Sequence, residues 1–138
     1  MYIAHTREND GKEQEIKEHL LATAKLAKLF SDEYNNGNYG YICGLYHDIG
    51  KYSYEFQQKI KGKKISVDHS TAGARELNTK IKYYGKLLAY CIAGHHGGLP
   101  NGGSLSDTEA DTTLNGRLKR KLKDYSQYKT EINIDKII

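Results

Sequence analysis

Apolar residues recur along this chain at steps of three and four, the spacing of amphipathic helices. Between Lys12 and Tyr34 the positions Ile16, His19, Thr23, Leu26 and Phe30, flanked by Leu20, Ala24 and Ala27, predict a helix with His19 on its inward stripe. Asn35, Asn36, Gly37 and Asn38 break it, because Gly and Asn accept the left-handed conformation that ends helices. The segment Tyr39 to Gly50 is apolar nearly all round, as in a central helix, with His47 and Asp48 in its last turn and Gly50 at its end. A short helix is expected over Ser53 to Ile60, followed by a solvated loop carrying Lys61, Lys63 and Lys64 around Gly62. Ser66 or Asp68 can cap a helix to about Asn78, with His69 in its first turn. Ile81, Tyr84, Leu88, Cys91 and His95 predict another from Lys80 to His96, stopped by Gly97 and Gly98, and residues 97–103 read as loop. Ser106 with Glu109 matches a capping box ahead of Leu114, Leu118 and Leu122, so a last helix is expected to about Tyr125.

These elements make an all-α bundle of about five helices. The composition agrees, with one Val, one Pro and few β-branched residues other than Ile and Thr. At 138 residues the chain is one domain in size, with a core expected in 1–125 and an apolar tail, 126–138, that reads as the start of a longer continuation. A hydrophobic share of 38% makes the core lean, while a net charge of only +4 excludes the composition of a disordered chain. No run approaches the ~18 apolar residues of a membrane span, and no apolar leader follows Met1, so no membrane partner and a cytoplasmic location are expected. Cys43 and Cys91 lack metal-ligand spacing and are expected to be buried, reduced thiols.

Histidine is where the composition departs from a plain helical domain. Five of six, His19, His47, His69, His95 and His96, fall on or at the ends of different helices, and Asp48 follows His47 directly. One histidine on an apolar stripe is ordinarily a hydrogen-bonded core residue. Five in a lean core each need a polar partner, and a metal centre satisfies them together. Adjacent helical residues point about 100° apart, so His47 and Asp48 suit metals wedged between helices. Asp48, with two oxygens, can bridge two cations ~3.5–4 Å apart, the spacing that clamps attacking and leaving oxygens of a phosphodiester. Imidazole with carboxylate selects Mn, Fe, Co, Ni or Zn over calcium.

The ordered series His19, HDIGK (His47 to Lys51), DHS (Asp68 to Ser70) and GHHGGLP (Gly94 to Pro100) closely resembles the HD superfamily, and within it the HD nuclease domain of the CRISPR type I helicase-nuclease. YIAH (Tyr2 to His5) and EHL (Glu18 to Leu20) resemble the start of that domain. The resemblance implies one metal held by His19, His47 and Asp48 and another by Asp48, His69, His95 and His96, with one or two ions drawn from Mn, Fe, Ni or Co and Mg as a further candidate. His47, Asp48 and Lys51 become the catalytic group, Lys51 facing substrate phosphates, whereas His5 matches a position that is not a ligand. The family also supplies a downstream aspartate to the first metal. Only Asp107 and Asp111 stand near the expected place, so the chain is expected to be a truncated form.

The function expected on this resemblance is metal-dependent hydrolysis of single-stranded DNA in antiviral defence, with a helicase domain or subunit and an RNA-guided surveillance complex as partners. Lys51, Lys63, Lys64, Gly97 and Gly98 are candidate DNA contacts. The basic run Arg117 to Lys123 is either another such contact or a solvated face. Two alternatives stay open: an HD phosphohydrolase acting on nucleotides or cyclic nucleotides, and a catalytically silent metal-binding or docking module.

Overall fold

A computed structural model describes residues 1–133. The chain opens with a small antiparallel ribbon, β1 (Ile3–Thr6) against β2 (Glu13–Glu15), with His5 opposite Gln14. Six α-helices follow among the described residues: α1 (Ile16–Asp32), α2 (Gly37–Tyr46), α3 (Tyr54–Ile60), α4 (Thr71–Lys80), α5 (Gly85–Ala93) and α6 (Leu114–Leu118). Two 3-10 turns, Ile49–Tyr52 and Ser126–Thr130, complete the regular structure. The all-α reading holds apart from the ribbon, which occupies the N-terminal end of the segment expected to be helical from Lys12. None of the helices is long and apolar enough to cross a membrane.

The core forms where α1 crosses α2. Ile16, Leu20 and Ala24 of α1 are fully buried, and a β-carbon at Gly44 would stand 2.6 Å from the Ala24 α-carbon, so this crossing requires glycine. The close approach turns the 16–20–24 row inward. Leu26 and Phe30, expected on the inward stripe, are 55% and 68% exposed. Tyr46, Ile49, Leu77, Ile92 and Leu114 extend the core toward α4, α5 and α6.

Several ends differ from expectation. α2 stops at Tyr46, and Asp48, at φ −121° and ψ 23°, turns the chain into the 3-10 segment that contains Gly50. His47 and Asp48 therefore lie at the exit of the helix rather than in its last turn. His69 precedes α4, and His95 and His96 lie beyond α5, which is shorter than expected at both ends. Asp68 fastens the start of α4 by accepting from Thr71 N at 3.1 Å and Thr71 Oγ1 at 2.7 Å. The last helix is five residues long, capped by Thr113, whose Oγ1 accepts from Gly116 N at 3.1 Å. The capping box at Ser106 is not formed. Ser104, Asp107 and Thr113 hydrogen-bond one another into a turn there instead.

The segment after Tyr125 packs back onto the core. Tyr128 and Ile132 are buried, the Tyr128 ring meets Tyr46 at 5.8 Å, and the Tyr52 hydroxyl donates to Glu131 at 2.6 Å. Ile134, Ile137 and Ile138 of the expected apolar tail lie outside the described residues. Of the thiols, Cys43 is half-buried and Cys91 is exposed, correcting the expectation of two buried cysteines.

Candidate metal centre

Four segments deliver side chains to one point. α1 brings His19, the exit of α2 brings His47 and Asp48, the loop before α4 brings His69, and the exit of α5 brings His95 and His96. The approach of His69 depends on Gly50, where a β-carbon would meet the His69 carbonyl oxygen at 2.3 Å. Ends of helices suit such a site because free carbonyls there can orient imidazoles. The Gly44 carbonyl accepts from His47 Nδ1 at 2.6 Å, and the Ile92 carbonyl accepts from His95 Nδ1 at 2.5 Å. Both bonds place the proton on Nδ1 and leave Nε2 as the donor atom for a metal.

Asp48 lies at the centre, 3% exposed. Its Oδ2 stands 3.1 Å from the Nε2 atoms of both His19 and His47, which are themselves 3.2 Å apart. Its Oδ1 faces His95 Nε2 at 3.3 Å, His69 Nε2 at 3.8 Å and His96 Nε2 at 3.9 Å. His69 and His96 meet through their Nε2 atoms at 2.9 Å. Burial opposes ionisation of Asp48, yet the surrounding imidazoles of His19, His47 and His95 hold its carboxyl far below the ordinary carboxylate range.

Two groups could each hold a divalent cation: His19, His47 and Asp48, and Asp48, His95 and His96, with His69 beside the second. The residues fit such ions on two grounds. Asp48 Oδ1 is buried without a hydrogen bond although three imidazole nitrogens converge on it, and such an orphan is costly unless a cation engages it. The donor set, neutral imidazole with a shared carboxylate, is that of first-row transition metals.

Lys51 occupies a place different from the one expected. It is 4% exposed, with Nζ 3.3 Å from Asp48 Oδ2, 3.4 Å from the Ala4 carbonyl and 5.4 Å from the Phe56 ring centroid. It therefore pairs with the aspartate from beneath, and an open face toward substrate is absent. His5 lies at the margin, its ring edge-on to His19 at 4.7 Å. Asp107 and Asp111 are engaged in loop turns, accepting from Ser104 N and Thr108 N. Lys63, Lys64, Gly97 and Gly98 are exposed, on segments that lead into His69 and out of His96.

Arg117 and Arg120 are structural anchors that sequence reasoning missed. Arg117 donates to the Ala93 carbonyl at 2.6 Å, to Ser70 Oγ at 2.9 Å and to Thr71 Oγ1 at 3.0 Å. Arg120 pairs with Asp68 at 3.0 Å. They tie the segment after α5 to the two backbones that carry His69 and His95. Their setting in a run of lysines carries no signal of an inward role.

No curated protein matches the chain. The sequence model of the HD domain matches residues 16–134, from the first turn of α1 past the buried Ile132. HD domains are typically metal-dependent phosphohydrolases, and the His–Asp cluster equips this chain as a metal-dependent hydrolase of that kind. With the match covering most of its length and the His47–Asp48 pair at the centre of the cluster, the chain belongs to the HD domain family.

Proposed function

We propose that this HD domain is a metal-dependent nuclease that hydrolyses phosphodiester bonds of single-stranded DNA in antiviral defence, as the nuclease domain of the CRISPR type I helicase-nuclease does. The observation that carries the reading beyond the family is the openness of one side of the centre. The His96 side chain is 55% exposed where that of Asp48 is 4% exposed, and exposed Gly97 and Gly98 follow it directly. A polymer backbone can lie across such an edge, whereas a site for a free nucleotide ordinarily buries most of its ligand in a concavity. Lys63 and Lys64 stand on the loop leading to His69 and offer phosphate contacts without base readout.

Divalent cations held by His19, His47 and Asp48 and by Asp48, His95 and His96 would supply Lewis acidity toward the phosphate and activate water as a nucleophile. The chain's own residues hold that arrangement. His47 and His95 keep fixed tautomers through the Gly44 and Ile92 carbonyls, and Asp48 stays ionised and presents one oxygen to each side. Lys51 adds positive charge from beneath Asp48 rather than by direct contact. On this reading a helicase domain or subunit and an RNA-guided surveillance complex deliver the displaced strand.

The test is cleavage of circular single-stranded DNA in Mn²⁺, beside a panel of nucleotides and cyclic nucleotides, by the parent protein, His47→Ala and Asp48→Ala. DNA cleavage lost in both variants is the expected result. Hydrolysis of the nucleotide panel alone replaces the nuclease by a nucleotide phosphohydrolase. Bound metal with no hydrolysis of any kind makes the domain a silent metal-binding module.

A further inference from the structure

Cys43 and Cys91 are used by nothing described so far, and both open onto the same small cleft. It has a volume of about 220 Å³ and an apolar lining that includes Thr23, Cys43, His47, Cys91, Ile92 and His95. The pairing follows from helix geometry. Each cysteine precedes a cluster histidine by four residues: Cys43, on α2, comes before His47 at that helix's exit, and Cys91, on α5, before His95 just beyond it. The rings of His47 and His95 stand 5.2 Å apart across the seam between the two elements. Four residues earlier on each element, Cys43 and Cys91 line the same cleft as those two histidines.

We propose that Cys43 and Cys91 are a dithiol that closes to a disulfide across α2 and α5 on exposure to a low-molecular-weight organic disulfide. Access sets the order of steps. Cys91 is exposed and Cys43 half-buried, so the Cys91 thiolate attacks first, forming a mixed disulfide and expelling one thiolate of the oxidant. Cys43 then loses its proton to solvent and attacks Cys91 Sγ, expelling the second. Two electrons pass to the oxidant, its S–S bond breaks, and one S–S bond forms within the chain. Burial and the neighbouring Cys91 push the Cys43 thiol up to about 12, which makes the second step the slow one. The link closes a loop of about fifty residues and fixes the spacing of the two elements that aim His47 and His95 at Asp48.

The experiment treats the metal-free protein with glutathione disulfide and follows intact mass, free thiols and thermal unfolding. The expected product is a monomer about 2 Da lighter than the reduced protein, without free thiols, and a digest containing one peptide pair joined through Cys43 and Cys91. Its melting temperature rises by roughly 10 °C, because the cross-link restricts the unfolded chain. Cys91→Ser, a change at an exposed position, must abolish the cross-link and leave the protein folded. A product carrying glutathione on Cys91 with Cys43 still free, or a disulfide-linked dimer, overturns the proposal.

Discussion

The backbone of His69 lies on Gly50 so closely that a β-carbon at position 50 would stand 2.3 Å from the His69 carbonyl oxygen and 2.7 Å from its α-carbon. The obstruction is backbone rather than a flexible side-chain tip, so it cannot swing aside. Gly50→Ala is therefore expected to displace the loop that carries His69, lowering stability by about 1–3 kcal/mol, as overpacking of a core does. Mn²⁺ titration should show weakened binding at the group holding His95 and His96, with the group at His19 less affected. Unchanged stability and unchanged metal affinity would show that the 50–69 contact does not position the ligand.

His69 also sets a pH dependence. Burial holds its imidazole down at about 4, with Lys51 and His96 reinforcing the shift and Asp48 opposing it. The unfolded chain takes up this proton near pH 6.5, whereas the folded chain does not until about 4. Between those values the unfolded state binds more protons, so stability falls as pH is lowered from about 6.5 toward 4. His69→Asn removes that contribution. Urea unfolding of the metal-free variant across this range should show a shallower loss than the parent, and parallel curves would contradict the assignment.

Arg117 reaches the Ala93 carbonyl, Ser70 and Thr71 from within a run of basic residues. Loss of a charged, multiply bonded donor leaves buried acceptors unpaired, so Arg117→Ala is expected to cost about 2–3 kcal/mol. Arg117→Lys should recover little, because one ammonium cannot reproduce the fork. If the domain binds single-stranded DNA as proposed, the salt dependence of that binding should stay that of the parent in the folded variant, while Lys63→Ala with Lys64→Ala should flatten it. A flattened salt slope in Arg117→Ala at full stability would return this residue to the DNA-contact class.

The same contrast explains which parts of the molecule were legible in the sequence. Helices α1 and α5 follow from apolar spacing, α2 from its all-round apolarity and α4 from the cap at Ser66 or Asp68, and the histidines stand out because imidazole is an odd choice on apolar stripes. The inward face of α1 departs from the apolar pattern because residue identity marks Leu26 and Phe30 as core, while the decisive fact, Gly44 against Ala24, belongs to the partner helix. α6 is shorter than the helical spacing of Leu114, Leu118 and Leu122 implies. A β-carbon at Gly116 would meet the Thr108 and Asp111 carbonyls at 2.7 and 2.6 Å, so the preceding loop packs against the helix at this glycine, a contact that the leucine spacing does not encode. Lys51 and Arg117 point inward although charge ordinarily faces water, because each has a partner supplied by another part of the chain.

Lys51 provides the last test, because it and a cation compete for one carboxylate. Its ammonium lies 3.3 Å from Asp48 Oδ2, the oxygen that also faces His19 and His47. With both charges buried, the pair is screened far less than a surface pair, and a like charge at this distance disfavours an incoming cation. Lys51→Met keeps an unbranched apolar side chain in the buried position and removes the ammonium, together with its 5.4 Å approach to the Phe56 ring centroid. Two effects of opposite sign follow. The metal-free protein should melt at a lower temperature, since Asp48 loses its only lysine partner among the described residues. Mn²⁺ should bind roughly tenfold more tightly, a gain of about 1.4 kcal/mol from removing the competitor, and saturating Mn²⁺ should restore most of the lost stability. Calorimetric titration with and without metal measures both. Weaker Mn²⁺ binding in Lys51→Met would mean that the ammonium orients Asp48 for the metal rather than standing in for it.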